Sequence, residues 1–173
     1  MAAWFWYFVI YSFLGFVLEV VFARLTHQRK RDRKCFYLLP LCPVYGLGAL
    51  AILALPGWIR ENALLLTIAG GAAATAVEYL VGLWDETVLG VRFWNYEGLP
   101  GSVGGRVCLP FALAWGVLAL VLVRIVHPAV AALTAAIPAW LAPAAAVLVA
   151  GDGLYSALLL RRTGTTDALR WYL

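Results

Sequence analysis

Charge is what this chain of 173 residues most conspicuously lacks: Asp, Glu, Lys and Arg make up 13% of it, against 64% hydrophobic residues. Soluble domains carry about 25% charged residues, so a water-soluble fold is excluded. Acid is scarcer than base, nine residues against thirteen. In a soluble protein that excess would point to acidic partners. Here six of the basic residues lie between Arg24 and Lys34, so membrane topology accounts for them and nucleic acid is not a partner. Cysteine is limited to Cys35, Cys42 and Cys108, an odd number without regular spacing, which excludes a disulfide framework. The cysteines and His27 match no zinc spacing either. The pattern G-x-x-x-x-G-K-[ST] does not occur, so the chain is not itself an ATPase. Nor do H-E-x-x-H or a nucleophile elbow occur, which leaves an enzyme reading without a nucleophile. No cofactor is expected.

Long apolar runs are what the chain does have. A helix needs about 20 such residues to cross a bilayer. Five spans are read, at about 3–23, 36–56, 63–84, 108–126 and 142–160, forming one transmembrane domain over 1–173. The expected fold is therefore an all-α integral membrane bundle of about five helices. The first span lacks a basic leader and carries Glu19, so it reads as a retained span rather than a cleaved signal. The Pro-interrupted "AVAALTAAIPAWLA" reads as a surface helix.

With the N-terminus outside and the C-terminus inside, Arg24, Arg29, Lys30, Arg31, Arg33, Lys34, Arg92, Arg106, Arg161, Arg162 and Arg170 are cytoplasmic. Only Arg60 and Arg124 remain outside. That asymmetry fixes the expected orientation. Trp4, Trp6, Trp58 and Trp140 then mark the outer interface, and Trp84, Trp94 and Trp171 the inner one. His27 and His127 fall on opposite sides and cannot cooperate.

Ionisable residues inside spans face the bundle or water rather than lipid. Glu19, Glu78 and Asp152 are the three acids so placed. Counting back from the span ends at ~1.5 Å per residue puts each roughly 7–14 Å below the cytoplasmic surface. Glu78 shares its face with Gly70, Gly71, Ala74 and Thr75, small residues that admit a neighbouring helix closely. On the same side lies "VRFWNYEGLPGSVGGRVCLP", residues 91–110, with Gly98, Gly101, Gly104 and Gly105 crowded around Pro100. Irregular backbone at membrane depth must be satisfied by protein or water. This stretch is therefore expected to fold back as a partly re-entrant lid over a polar cavity. Arg106 would be the counter-charge, with Trp94 and Tyr96 over the site. A plainer reading stands beside this one: Glu19 can snorkel, Asp152 can hold a helix partner, and Arg106 can serve topology alone.

Four stretches in order, "YSFLGFVLEVVF", "FYLLPLCPVYGLGAL", "EYLVGLWDETVLGVRFWNY" and "GRVCLPFALAWG", resemble the putative ABC-transporter type IV membrane proteins, labelled ABC transporter permeases. The matched positions include Glu19, Tyr45, Gly46, Glu78, Tyr79, Glu86, Trp94, Tyr96, Gly105 and Arg106. The family pattern has an acid where this chain has Asn95, which removes a charge from that stretch. The resemblance implies a transport component of a bacterial cytoplasmic membrane, with a separate nucleotide-binding subunit. So few spans also imply a homo- or hetero-oligomer in the lipid bilayer.

The candidate substrate-binding set is Glu19, Tyr45, Glu78, Trp94, Asn95, Tyr96, Arg106 and Asp152. More carboxylate than guanidinium favours a cationic or zwitterionic solute, or a proton-coupled one. The alternatives are a non-catalytic assembly or lipid-sensing partner and, behind it, a lipid head-group enzyme using the carboxylates as acid and base.

Overall fold

The computed structural model describes residues 2–27 and 34–170. Arg29, Lys30, Arg31 and Arg33, expected on the cytoplasmic side, and Trp171, expected at the inner interface, lie outside the described residues. Seven α-helices follow in order: α1 Ala2–Leu25, α2 Pro43–Leu53, α3 Gly57–Glu61, α4 Ala63–Trp84, α5 Leu109–Val121, α6 His127–Ala136 and α7 Leu141–Thr163. Two π-helical turns prolong them. Asp85–Leu89 extends α4, and Leu122–Val126 joins α5 to α6 without a break. Four continuous helices are long and apolar enough to cross a membrane: Ala2–Leu25, Ala63–Leu89, Leu109–Ala136 and Leu141–Thr163. The protein is a multi-pass helical bundle.

Local chemistry sets the ends. Asn62 starts α4 by accepting hydrogen bonds from the Leu64 and Leu65 amides at 3.0 and 3.1 Å. Pro43 and Pro110 sit in first turns, where the missing N–H has no helical partner to lose. Gly90, at φ 71°, closes the π-helical turn in the left-handed region.

Two expectations need revision. The run 129–142 is not a surface helix: α6 continues α5 to Ala136, and the break comes only at Ile137 before Pro138. The π-helical turn just before His127 relieves the backbone around Pro128, and Val130 packs with Tyr11, Ala49 and Leu53. The second segment is not a continuous 36–56 helix either. Its helix is the 11 residues of α2, roughly 16 Å long against the ~30 Å of a hydrocarbon core. Pro40 and Pro43 push the residues before them out of the helical region, so 36–42 stays irregular.

That irregular stretch lies deep in the bundle. The Cys42 amide donates to the Ser12 carbonyl in the middle of α1 at 2.9 Å. Phe36 approaches Gly153, and Tyr37 packs edge-on against Tyr155, in the middle of α7. From Cys42 onward α2 runs antiparallel to the first half of α1, with Gly46 against Ser12 and Phe8. Residues 34–53 thus return the chain to the end where α1 begins, partly as irregular backbone and partly as helix.

The most extensive helix pair is α4 with α5. A Cβ built on Gly71 would lie 3.0 Å from the Gly116 Cα, and one on Gly70 would lie 2.6 Å from the Ala119 side chain. Small residues here let the backbones approach, as expected for the face that carries Glu78. This contact sets Glu78 of α4 beside Trp115 of α5.

Candidate functional site

Six of the eight candidate residues line one cavity of about 940 Å³: Glu19, Tyr45, Glu78, Trp94, Asn95 and Tyr96. Its floor is polar. The Tyr45 hydroxyl donates to Glu19 Oε1 at 2.8 Å. Glu78 is 4% exposed and takes two neutral donors, the Tyr96 hydroxyl on Oε1 at 3.0 Å and the Trp115 indole N–H on Oε2 at 2.9 Å. The rest of the wall is apolar, with Leu18 and Phe22 of α1 facing Phe111, Val117 and Leu118 of α5. Leu18, Phe22 and Val117 are also exposed on the outside of the bundle, so the cavity opens sideways between α1 and α5. None of the described residues lining it is basic.

Phe93, Trp94, Asn95, Tyr96 and Leu99 of the loop 91–108 line one side of this cavity. The loop's fold is held by backbone hydrogen bonds from Tyr96 to Gly105, 2.8 Å, and from Val103 to Val107, 3.0 Å. Tyr96 stacks on Phe111 with ring centroids 4.6 Å apart, which holds its hydroxyl over Glu78. Burial pushes the Tyr96 phenol well above the ordinary tyrosine range, and the nearby Glu78 adds to the effect. Tyr96 is therefore a neutral donor at any working pH. Asn95 faces the cavity while its Oδ1 accepts from the Glu97 amide at 2.9 Å, closing a local turn. The Trp94 indole N–H donates to the Arg106 carbonyl at 2.7 Å.

Arg106 and Asp152 stand elsewhere. Arg106 does not face Glu78; its Nη2 meets Glu86 Oε2 at 2.5 Å, and its guanidinium lies 5.4 Å from the Tyr79 ring centroid. Arg92 takes the other oxygen of Glu86 at 3.0 Å, so one carboxylate gathers two arginines under the loop. The counter-charge role therefore belongs to Glu86 with Arg106, and the pair anchors the loop rather than crossing the cavity. Asp152 has a different partner set. Its carboxylate accepts from the Leu38 amide at 3.1 Å on both oxygens and from the Leu39 amide at 2.7 Å on Oδ2. Beside it the Ser156 hydroxyl accepts from the Tyr37 amide at 2.8 Å. Asp152 thus satisfies the irregular backbone of 36–39 and belongs to the scaffold.

Trp115 is a site residue that the sequence reading passed over. The signal was present: a Trp far from either interface belt must find a partner for its N–H, and Glu78 is an acid needing one. Tyr11, which is buried, and His127, which is half-buried, form a second polar pair, 3.0 Å between the hydroxyl and Nδ1.

A family model described as putative ABC-transporter type IV matches residues 6–155. No curated protein and no solved structure matches the chain.

Proposed function

Because the chain belongs to the putative ABC-transporter type IV family, we propose that it is the membrane component of a transport system whose cavity takes a cationic or zwitterionic solute bearing a hydrocarbon portion. The observation that supports this reading is Glu78: a buried carboxylate whose hydrogen bonds come from a phenol and an indole rather than from a cation. Glu19 faces the same cavity, and the apolar mouth between α1 and α5 suits the hydrocarbon part. Carboxylates at such depth also suit a proton-coupled solute. Turnover of nucleotide belongs to a separate subunit, and the bundle works as a homo- or hetero-oligomer in a bacterial cytoplasmic membrane. The sideways opening also favours a second reading, a lipid-sensing or assembly partner that binds an amphiphile without moving it.

The test compares two amphiphiles of equal chain length, an alkyltrimethylammonium and an alkyl sulfate, offered to the protein in nanodiscs and read by native mass spectrometry. The ammonium should be retained in preference to the sulfate. Glu78→Gln, which keeps shape and loses charge, should weaken that preference by about tenfold. Equal retention of the two head groups by the wild type would sink the proposal.

The orientation belongs to the same proposal: N-terminus outside, C-terminus inside, one transmembrane domain, cavity roof on the cytoplasmic side. A reporter active only outside should give signal when fused within 57–62 and none at the C-terminus. The reverse pattern would place the cavity on the outer face.

A further inference from the structure

Four charged residues are buried among those described: Lys34, Glu78, Asp85 and Asp152. Glu78 and Asp152 are satisfied by hydrogen bonds, as described above. Asp85 differs. It is 6% exposed, and its carboxylate has no hydrogen bond or ion pair among the described residues. Arg92 and Arg106, which line a small pocket together with Asp85, both pair with the neighbouring Glu86. Asp85 is also the first residue of the π-helical turn, a local departure from α geometry that often marks a functional position.

The Asp85 carboxylate borders a chamber of about 310 Å³ on the opposite side of Trp94 from the Glu78 cavity. Val44, Phe93 and Trp94 line both spaces and form the partition. Phe36, Trp84, Phe93 and Trp94 give the chamber four aromatic side chains, and aliphatic residues make up most of the rest. The Trp94 indole, the Ser156 hydroxyl and the Cys35 thiol are engaged. The Ser156 hydroxyl serves Asp152 and Tyr37, and the Cys35 thiol lies 3.2 Å from that of Cys42.

One carboxylate among aromatic rings selects a particular kind of cation. Calcium and magnesium need six or more oxygens, which this wall does not supply. Ammonium and primary amines need several strong hydrogen-bond acceptors. An alkylated ammonium needs none: its charge is diffuse, and aromatic faces with one carboxylate are sufficient to hold it. The geometry points to the Asp85 chamber as a binding site for a small quaternary ammonium group, separate from the Glu78 cavity. It does not depend on the Glu78 cavity binding anything.

Equilibrium dialysis of radiolabelled tetramethylammonium against the full-length protein in nanodiscs, at mildly alkaline pH, tests the assignment. The wild type should bind saturably; in a Glu78→Gln background, which removes the carboxylate of the larger cavity, saturable binding should persist, and adding Asp85→Asn there should weaken it about tenfold or abolish it. Trp84→Leu in the same background keeps the Asp85 carboxylate and removes one aromatic face, so it should weaken binding about threefold and serves if Asp85→Asn does not fold. Absence of saturable binding to the wild type, or undiminished binding when Asp85→Asn and Trp84→Leu are each added to that background, would overturn the assignment. Loss in Glu78→Gln with retention in Asp85→Asn would overturn it too, by moving the cation to the larger cavity and leaving the transport proposal standing.

Discussion

Asp152→Ala should lower the unfolding free energy by about 3–5 kcal/mol, the largest loss expected of any single side-chain truncation in the chain. The reason is the segment it serves. Residues 36–42 are irregular backbone in the middle of the bundle without a hydrogen-bond ladder of their own, and among the described residues only the Cys42 amide finds a helix carbonyl, that of Ser12. The Asp152 carboxylate accepts from the Leu38 and Leu39 amides at 2.7 to 3.1 Å. Removing it leaves two amides unsatisfied away from water, at about 1–3 kcal/mol each. Asp152→Asn retains one acceptor oxygen and should lose about half as much. Ser156→Ala strips only the Tyr37 amide and should cost about 1–2 kcal/mol. Steric trapping in bicelles measures these values, and amide exchange reports whether residues 37–39 open first. If Asp152→Ala unfolds at the wild-type free energy, the carboxylate does not hold this backbone, and the ligand role read from the sequence returns.

The case of Asp152 shows where sequence reasoning stops. Hydropathy located the four long helices, because a span needs only length and apolarity, but it ended the third of them at 126 where the helix runs on to Ala136. The Gly-rich composition of 91–110 argued for irregular backbone, which 91–108 has, and counting along the spans assigned Glu19 and Glu78 a common depth. What depth cannot give is azimuth. Counting assigns Asp152 and Glu78 similar depths, but their helices present them to different neighbours, one to a broken backbone and the other to a cavity. Arg106 was paired with the wrong acid for a related reason. Glu86 lies on the π-helical turn, and that departure from the α-helical period cannot be read from residue spacing. The short α2 was hidden because "FYLLPLCP" is as apolar as a helix would be. Only the prolines argued otherwise, and the amides they free find partners on α7, more than a hundred residues away.

Gly15→Ala should separate α1 from α2 and remove the Tyr45 contribution to the cavity floor. A Cβ at Gly15 would fall 2.2 Å from the Tyr45 Cγ and 2.3 Å from its Cβ. The second of these atoms is fixed to the backbone, so rotating the ring cannot relieve the clash. Gly46 is in the same position from the other side, with a Cβ 2.2 Å from the Ser12 Oγ and 2.6 Å from the Phe8 carbonyl oxygen. Overpacking of this kind costs about 1–3 kcal/mol when neighbours can shift, and each change should fall at the upper end because backbone must move. The displaced Tyr45 would also lose its 2.8 Å bond to Glu19, so the ammonium preference of the cavity should fall with the stability. Gly151→Ala is the matched control. Nothing lies within 4 Å of a Cβ there, so it should be neutral or more stable by up to about 1 kcal/mol through helix propensity. Gly15→Ala and Gly46→Ala as stable as Gly151→Ala would mean that the two helices do not meet at these glycines. The close approach that holds Tyr45 over Glu19 would then have to come from elsewhere in the bundle.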